Sequence, residues 1–321
     1  MSSGRPLSDL ALVGATATGK TALAHELWRR VRGLELVSID AMAVYRGLDI
    51  GTETPCDSPA PWHLVDIADP HEEFSVARFQ EAAREALGLI RARGHLAVLV
   101  GGTGLYHRAV IDDLDLPGRF PAVAAEIEAE LASGTGPTAL AGLYERLQLL
   151  DPLAAGRIEP GNARRILRAL EVTLGSGRPF SSFGPGLANY EAPAVVTMAG
   201  LTLERAELDR RLEARLDGQM DRGFLEEVAA LSARPGGISR TARQAIGYRE
   251  LLSVVEEGVS LAEARKSIIR RLRVFARRQE AWFRRDPRVR WFDASDMHLS
   301  EAVLDWWRSS GPAASWETGG R

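Results

Sequence analysis

The first apolar run, Leu10 to Val13, is too short for a helix and too continuous for a half-exposed strand, and it predicts a buried parallel strand. Thr21 to Val31 has helical spacing, Leu34 to Ile39 is a strand pattern ending at Asp40, and Trp62 to Asp66 is a short third strand pattern. Helical periodicity returns through Phe74, Ala77, Phe79, Ala82, Ala86 and Ile90 and stops at Gly94; His95 to Val100 then reads as another buried strand. Strands alternating with helices predict an α/β fold with a parallel sheet. The pattern changes near Asp112. Residues 121–175 read as short helices broken at Gly134, Gly136 and Pro152, with loop after Ser176. Ala194 to Met198 restores a strand, followed by one long helical pattern from Glu204 to Ser232. We therefore expect a core made of residues 1–111 and 194–308, a mostly helical insertion at 112–193, and a frayed tail at 309–321. Near the end, Ile268, Leu272, Phe275, Gln279 and Trp282 form one helical stripe. Arg270, Arg273, Arg277 and Arg284 run beside it, as in the wall of a groove.

Between the first strand and first helix stands Gly14-Ala15-Thr16-Ala17-Thr18-Gly19-Lys20-Thr21, spaced G-x-x-x-x-G-K-T. Glycines at those positions let the backbone curl so that successive N–H groups face one hollow at the positive end of the helix. Lys20 adds a charge for outer phosphates, and the Thr21 hydroxyl suits Mg²⁺. The loop binds a phosphorylated ligand. Ligands of open α/β sheets lie beyond the carboxyl ends of the strands, which brings Asp40 near this loop as a metal-associated acid, a general base or the cap of the next turn. Gly101-Gly102-Thr103-Gly104 puts the Thr103 hydroxyl at the same edge; it is not G-x-G-x-x-G, so a dinucleotide fold is a poor reading. Arg211 and Arg215, four residues apart, share one helical face.

Composition sharpens this picture at three points. Only two of the 40 basic residues are lysines, Lys20 and Lys266, so a lysine inside the loop is not compositional drift. A guanidinium is too broad to replace it there. The net charge of −3 hides eleven basic residues against Glu280 and Asp286 between 265 and 290, a cationic element that suits a polyanion. A single cysteine, Cys56, excludes an internal disulfide framework and fits a reducing cytoplasm. No apolar run approaches the roughly 20 residues of a membrane span, and Met1 to Asp9 lacks the signature of a signal peptide.

The chain has no N-K-x-D guanine-reading motif and no protein-kinase signature set, and the strand before Gly101 ends without an acidic residue. The ordered set of motifs instead resembles the tRNA dimethylallyltransferases (tRNA isopentenyltransferases). The set comprises Gly14–Thr21, Ser38-Ile39-Asp40 with Val44 to Thr52, His63-Leu64-Val65-Asp66, and Gly101 to Tyr106. It continues with Asp151-Pro152, Arg165 and Arg168 to Glu171, the Arg205/Arg211/Arg215 helix, Gln244 to Glu250, and Ala276 to Gln279 with Trp282 to Arg284. The resemblance implies a P-loop NTPase-like core and transfer of a five-carbon group from dimethylallyl diphosphate to N6 of the adenosine beside the anticodon of tRNA. It implies that Asp40 takes the proton, that Thr103 positions the reacting centre, and that Lys20, the loop amides of residues 14–21, Arg211 and Arg215, with Mg²⁺ on Thr21, hold the diphosphate. RNA contacts are expected from Ala41, Met42, Ala43, Arg165, Arg168, Gln244, Gly247, Tyr248, Arg249, Arg273 and Arg277, on an anticodon stem-loop bound by a monomer. The chain departs from the usual pattern at Ala41-Met42-Ala43, where Ser-x-Gln is common, and at Ala15, Thr54 and Ala124. Two other readings remain open from sequence: an ATP-dependent small-molecule kinase, and a non-catalytic RNA-binding relative.

Overall fold

Strand β1 (Leu10–Gly14) lies in the middle of a parallel sheet with β2 (Leu34–Ser38), β3 (Trp62–His63), β4 (Leu96–Val100), β5 (Thr197–Thr202) and β6 (Val289–Asp293), in the order β3-β2-β4-β1-β5-β6. These coordinates are a computed structural model. It describes residues 7–310, apart from residue 56 and residues 135–136, 185–186, 188–189 and 191–195. Leu10 pairs with Val98 on one side and with Thr197 on the other, so β1 has sheet partners on both edges and every residue in it is buried. That environment explains the unbroken apolar run.

Strand alternation then divides the core. Leu10, Leu12, Leu34, Leu36 and Val98 face helix α1 (Lys20–Arg30), with Leu23, Leu27 and Trp307 completing the cluster. Ala11, Val13, Val37, Ile39 and Leu99 face the other way, against Phe79 of α2 (Val76–Ala92) and, further along, Tyr248 and Phe283. Helix α3 (Gly104–Ile111) follows β4 directly. Residues 113–191 form a separate unit, whose described residues include the helices α4 (Pro121–Ser133), α5 (Pro137–Leu150), α6 (Pro152–Arg157) and α7 (Ala163–Ser176), with its own core of Ile127, Leu143, Leu147, Ile166 and Leu170. The remaining helices are α8 (Arg205–Asp221), α9 (Phe224–Ser232), α10 (Tyr248–Glu257), α11 (Leu261–Phe283) and α12 (Leu299–Ser309).

Three expectations change. The long pattern from Glu204 to Ser232 is two helices, because Gly223 takes a left-handed φ of 91°. The strand at Trp62 stops at His63, since Leu64 and Asp66 have φ of 62° and 52°, outside any extended run. Phe275 stands exposed on α11, while Ala276 and Phe283 take the buried places. Residues 194–195 and the tail from 311 lie outside the described residues. Among the described residues no helix is long and apolar enough to cross a membrane.

Glu35 of β2 is buried beneath three cationic or ring donors. Arg93 holds both its oxygens at 2.8 Å, and His63 and His95 donate at 2.6 and 2.7 Å. Burial pushes this carboxyl up, but the Arg93, His63 and His95 bonds outweigh it and hold the pKa at about 2. A depressed carboxylate pKa contributes stability that is complete above the unfolded value near 4.5 and is lost as pH falls through about 2. Denaturant titration of native and Glu35→Gln proteins should therefore differ by on the order of 1–2 kcal/mol at pH 6, with solvent screening of the exposed partners limiting the value. The difference should shrink steadily from pH 4.5 to 2; a constant difference across that range would show the carboxylate charge to be irrelevant.

Candidate active site

The phosphate loop leaves β1 at Gly14, whose φ is 137° and where a Cβ would come within 2.5 Å of Leu201 O. Gly19 (φ 90°) turns the chain into α1, whose first turn carries no acidic side chain to cancel the helix dipole. Ala17, at φ 63°, is a non-glycine residue in the left-handed region, a strained position inside the loop itself. Thr18 Oγ1 donates to Ala15 O at 2.8 Å, which closes the curl. Lys20 Nζ lies back across the loop, donating to Gly14 O (3.1 Å) and Ala15 O (2.6 Å). Thr16 is held twice, its N–H by Gln279 Oε1 at 2.8 Å and its hydroxyl by Arg215 Nη1 at 3.1 Å. Thr21 is exposed, and its hydroxyl has no partner in the described structure.

The charges around this loop converge. Burial is the main reason that the Lys20 pKa falls to about 7; repulsion from Arg215 adds to it and Asp40 opposes it. Arg215 is likewise shifted down, chiefly by burial, with Glu53 and Asp40 opposing. Asp40 is thus the anion between two desolvated cations. Its Oδ1 accepts from Met42 N (2.8 Å) and Ala43 N (3.3 Å). The carboxylate therefore caps the following turn with one oxygen and keeps Oδ2 free of protein partners.

Thr103 is the single side chain in a stretch of glycines that admits no others. A Cβ on Gly101 would overlap Ile39 O, one on Gly102 would overlap Gln279 Nε2, and one on Gly104 would overlap the Trp282 indole. Beneath the turn, His107 Nε2 donates to Gly101 O at 3.2 Å, and its ring packs edge-on against Phe283. Burial drives the His107 pKa down to about 3, so the imidazole is neutral. The half-buried Thr103 hydroxyl makes no bond among the described residues.

The other residues singled out from sequence divide into free and committed groups. Arg165, Arg249, Arg277 and Gln244 are exposed, with side chains that have no partner among the described residues. Arg211 is bound by Glu207 at 2.7 Å and lines a cleft with Thr18 and Gly19 on the outer flank of the loop. Arg168 is tied to Glu171 (2.7 Å), Pro117 O (2.9 Å) and Gly118 O (3.0 Å) within its own helical unit. Arg273 bridges to Glu213 at 2.5 Å and Asp209 at 3.4 Å, joining α11 to α8.

Three expected RNA contacts have to be corrected. Tyr248 is fully buried, its hydroxyl donating to Glu227 Oε1 at 2.6 Å and accepting from Gly51 N at 3.2 Å. Gly247 packs under Phe224 at φ 96° and caps α10. Ala43 is buried with its methyl in the core; Ala41 and Met42 are half-buried beside it. Glu227 is a residue that sequence reasoning missed. Its carboxylate also accepts from Asp49 N and Ile50 N at 3.0 and 2.8 Å and so pins the loop whose Thr52 O faces Arg215. It has no distinct signal in the sequence, because Glu227 falls inside the single long helical pattern read from Glu204 to Ser232, and only the break at Gly223 puts it in a first turn.

Metal binding rests on the same loop. Among the described residues no group of three or more His, Cys, Asp or Glu could hold a cation. The free Thr21 hydroxyl beside the anion hollow fits a hard cation whose remaining ligands are phosphate oxygens and water.

A profile of the IPP transferase family matches residues 43–286, a span that begins after the loop and Asp40. The chain is 47% identical to the tRNA dimethylallyltransferase of a Nocardioides species over 298 residues, 92% of this chain and 94% of that protein. It is 41% identical to the tRNA dimethylallyltransferase of Moorella thermoacetica over 315 residues, covering 94% of each. Among solved structures, the full-length tRNA isopentenylpyrophosphate transferase of Bacillus halodurans is 36% identical, with a TM-score of 0.67 and 95% of both chains covered. A eukaryotic dimethylallyltransferase acting on tRNA shares the fold at 22% identity, with a TM-score of 0.75, covering 97% of this chain and 82% of that one.

The lowered Lys20 pKa gives a direct test of the site. Acylation of Lys20 by acetic anhydride, followed by mass spectrometry, should titrate with a midpoint near 7 in the free protein. Inorganic diphosphate favours the protonated amine and should move that midpoint upward. A midpoint near 10 without ligand would mean that neither burial nor Arg215 acts on the amine.

Proposed function

Because the chain belongs to the IPP transferases, the tRNA dimethylallyltransferase family, we propose that its carboxyl-edge site moves a dimethylallyl group from dimethylallyl diphosphate to N6 of the adenosine next to the anticodon of tRNA. The observation that carries the reading is the meeting of Lys20, Arg215 and a half-free Asp40 at one phosphate loop.

The loop amides, Lys20 and Arg215 take the diphosphate, and their charge is worth most when the C1–O bond breaks and the leaving group gains charge. Mg²⁺ on Thr21, with phosphate oxygens completing its shell, would supply further neutralisation. The adenine N6 attacks C1 of the allyl group, the electron pair of the C1–O bond leaves with the diphosphate, and the N6 proton passes to Asp40 Oδ2. The two backbone N–H bonds on Oδ1 fix the direction of the carboxylate, so that it has one oxygen to offer. Thr103, isolated by glycines, places a hydroxyl at the same edge. The base reaches this centre by leaving its stack, which costs little in an anticodon loop.

Recognition of the RNA falls to the free cations. Arg165 on the helical unit, which we read as the tRNA-contacting domain, and Arg249 and Arg277 on the core are available to phosphates, with the neutral Gln244 amide exposed beside them. With Ala43 buried and Ala41 carrying no polar group, the base edge is read by few hydrogen bonds here. The enzyme works as a monomer in the cytoplasm, where its substrate is found.

The test is transfer of labelled dimethylallyl to unmodified tRNA by native and Asp40→Asn proteins. An amide keeps the shape of the carboxylate but cannot take the proton. The substitution should lower kcat about 10²–10⁴-fold while dimethylallyl diphosphate affinity stays within about threefold. A near-native kcat would place the base elsewhere, and absence of transfer by the native protein, with ADP formed instead, would favour a kinase.

A further inference from the structure

Gln279 is one of the few buried polar side chains of the core, and the chemistry described so far leaves it without a role. It lies on α11, two residues past the exposed Arg277, and reaches both halves of the site. Its Oε1 accepts from Thr16 N in the phosphate loop at 2.8 Å, and its Nε2 lies against Gly102, one residue before Thr103. The same helix face sets Ala276 against Ala15 and Trp282 against Gly104. The loop that holds the leaving group and the turn that carries Thr103 are thus gauged against a single amide.

We propose that Gln279 is a positioning residue for the transfer reaction, one that fixes the distance and orientation between the phosphate loop and Thr103. Its chemistry suits that role. A carboxylate would accept the Thr16 N–H equally well but would bring a negative charge beside a diphosphate hollow. An apolar side chain of the same length would fill the space and leave the Thr16 N–H without a partner. A neutral amide avoids both. Thr16 is held from the other side by Arg215, so releasing it also loosens a cation that faces the leaving group.

This inference rests on the proposed prenyl transfer, and the test separates the two. Dimethylallyl diphosphate affinity is measured by calorimetry for native, Gln279→Met, Gln279→Glu and Gly102→Ala proteins, with thermal unfolding of each and steady-state kinetics on tRNA. Gln279→Met should fold with its packing intact, yet bind about 10- to 100-fold more weakly, with a reduced kcat and an unchanged KM for tRNA. Gln279→Glu should be weaker still, despite keeping an acceptor for Thr16 N. Gly102→Ala, which pushes a methyl into Nε2, should reproduce the affinity loss, and it carries the test if Gln279→Met does not fold. A folded Gln279→Met, or a folded Gly102→Ala, that binds within twofold of native would reduce Gln279 to a packing group and overturn the proposal. If the native protein itself fails to bind dimethylallyl diphosphate, the function reading falls first.

Discussion

Close backbone approach at the carboxyl edge of the sheet is the constraint from which the site follows. At Gly14, Gly101, Gly102 and Gly104 a methyl group would meet, in turn, the backbone of Leu201, the backbone of Ile39, the Gln279 amide and the Trp282 indole. Each contact joins segments far apart in sequence, and at Gly14 and Gly101, where the neighbour is backbone, and at Gly104, where it is an indole ring, a single added carbon costs kilocalories because the neighbour cannot swing aside. The absence of side chains at Gly102 and Gly104 lets α11 pack close against β1 and the start of α3. Once it has done so, Thr103 is the only group in its stretch that can project.

The charges form a second layer on this frame. Lys20 is buried and Arg215 half-buried, and Asp40 and Glu53 both act on this pair of cations. On the proposed reaction, a diphosphate bound here would draw on the same desolvated charge for binding and for transition-state stabilisation. Away from the site, the arginines that are buried or half-buried in the core are matched. Arg108 and Arg288 enclose Asp112 at the point where the chain leaves the core, and Arg271 meets Glu250.

Much of this was legible before any coordinates. The phosphate loop, the buried strands and the position of Asp40 could be read because local spacing decides them, and the capping reading of Asp40 is seen on one oxygen, which leaves the other without a partner among the described residues. The fate of the arginines could not be read. Arg273 ends on Asp209 and Glu213, about sixty residues away, and Arg168 on carbonyls of a loop fifty residues upstream; a guanidinium finds its partner only in the tertiary fold. Tyr248 was misassigned for the same reason, since a tyrosine in a turn motif does not announce the distant, half-buried carboxylate that receives its hydroxyl. Strand β6 went unseen because Val289-Arg290-Trp291-Phe292-Asp293 lies at the sheet edge and lacks a continuous apolar run.

Strand β1 pairs on both sides with segments made much later, and the loop that follows it is buttressed by residue 279. On a ribosome the glycine loop emerges early and waits for α11, an interval of roughly ten seconds to a minute at ordinary elongation rates. The hollow takes its final form only when segments from both ends of the chain have met, so its geometry is a product of the whole fold and not of the glycine motif alone.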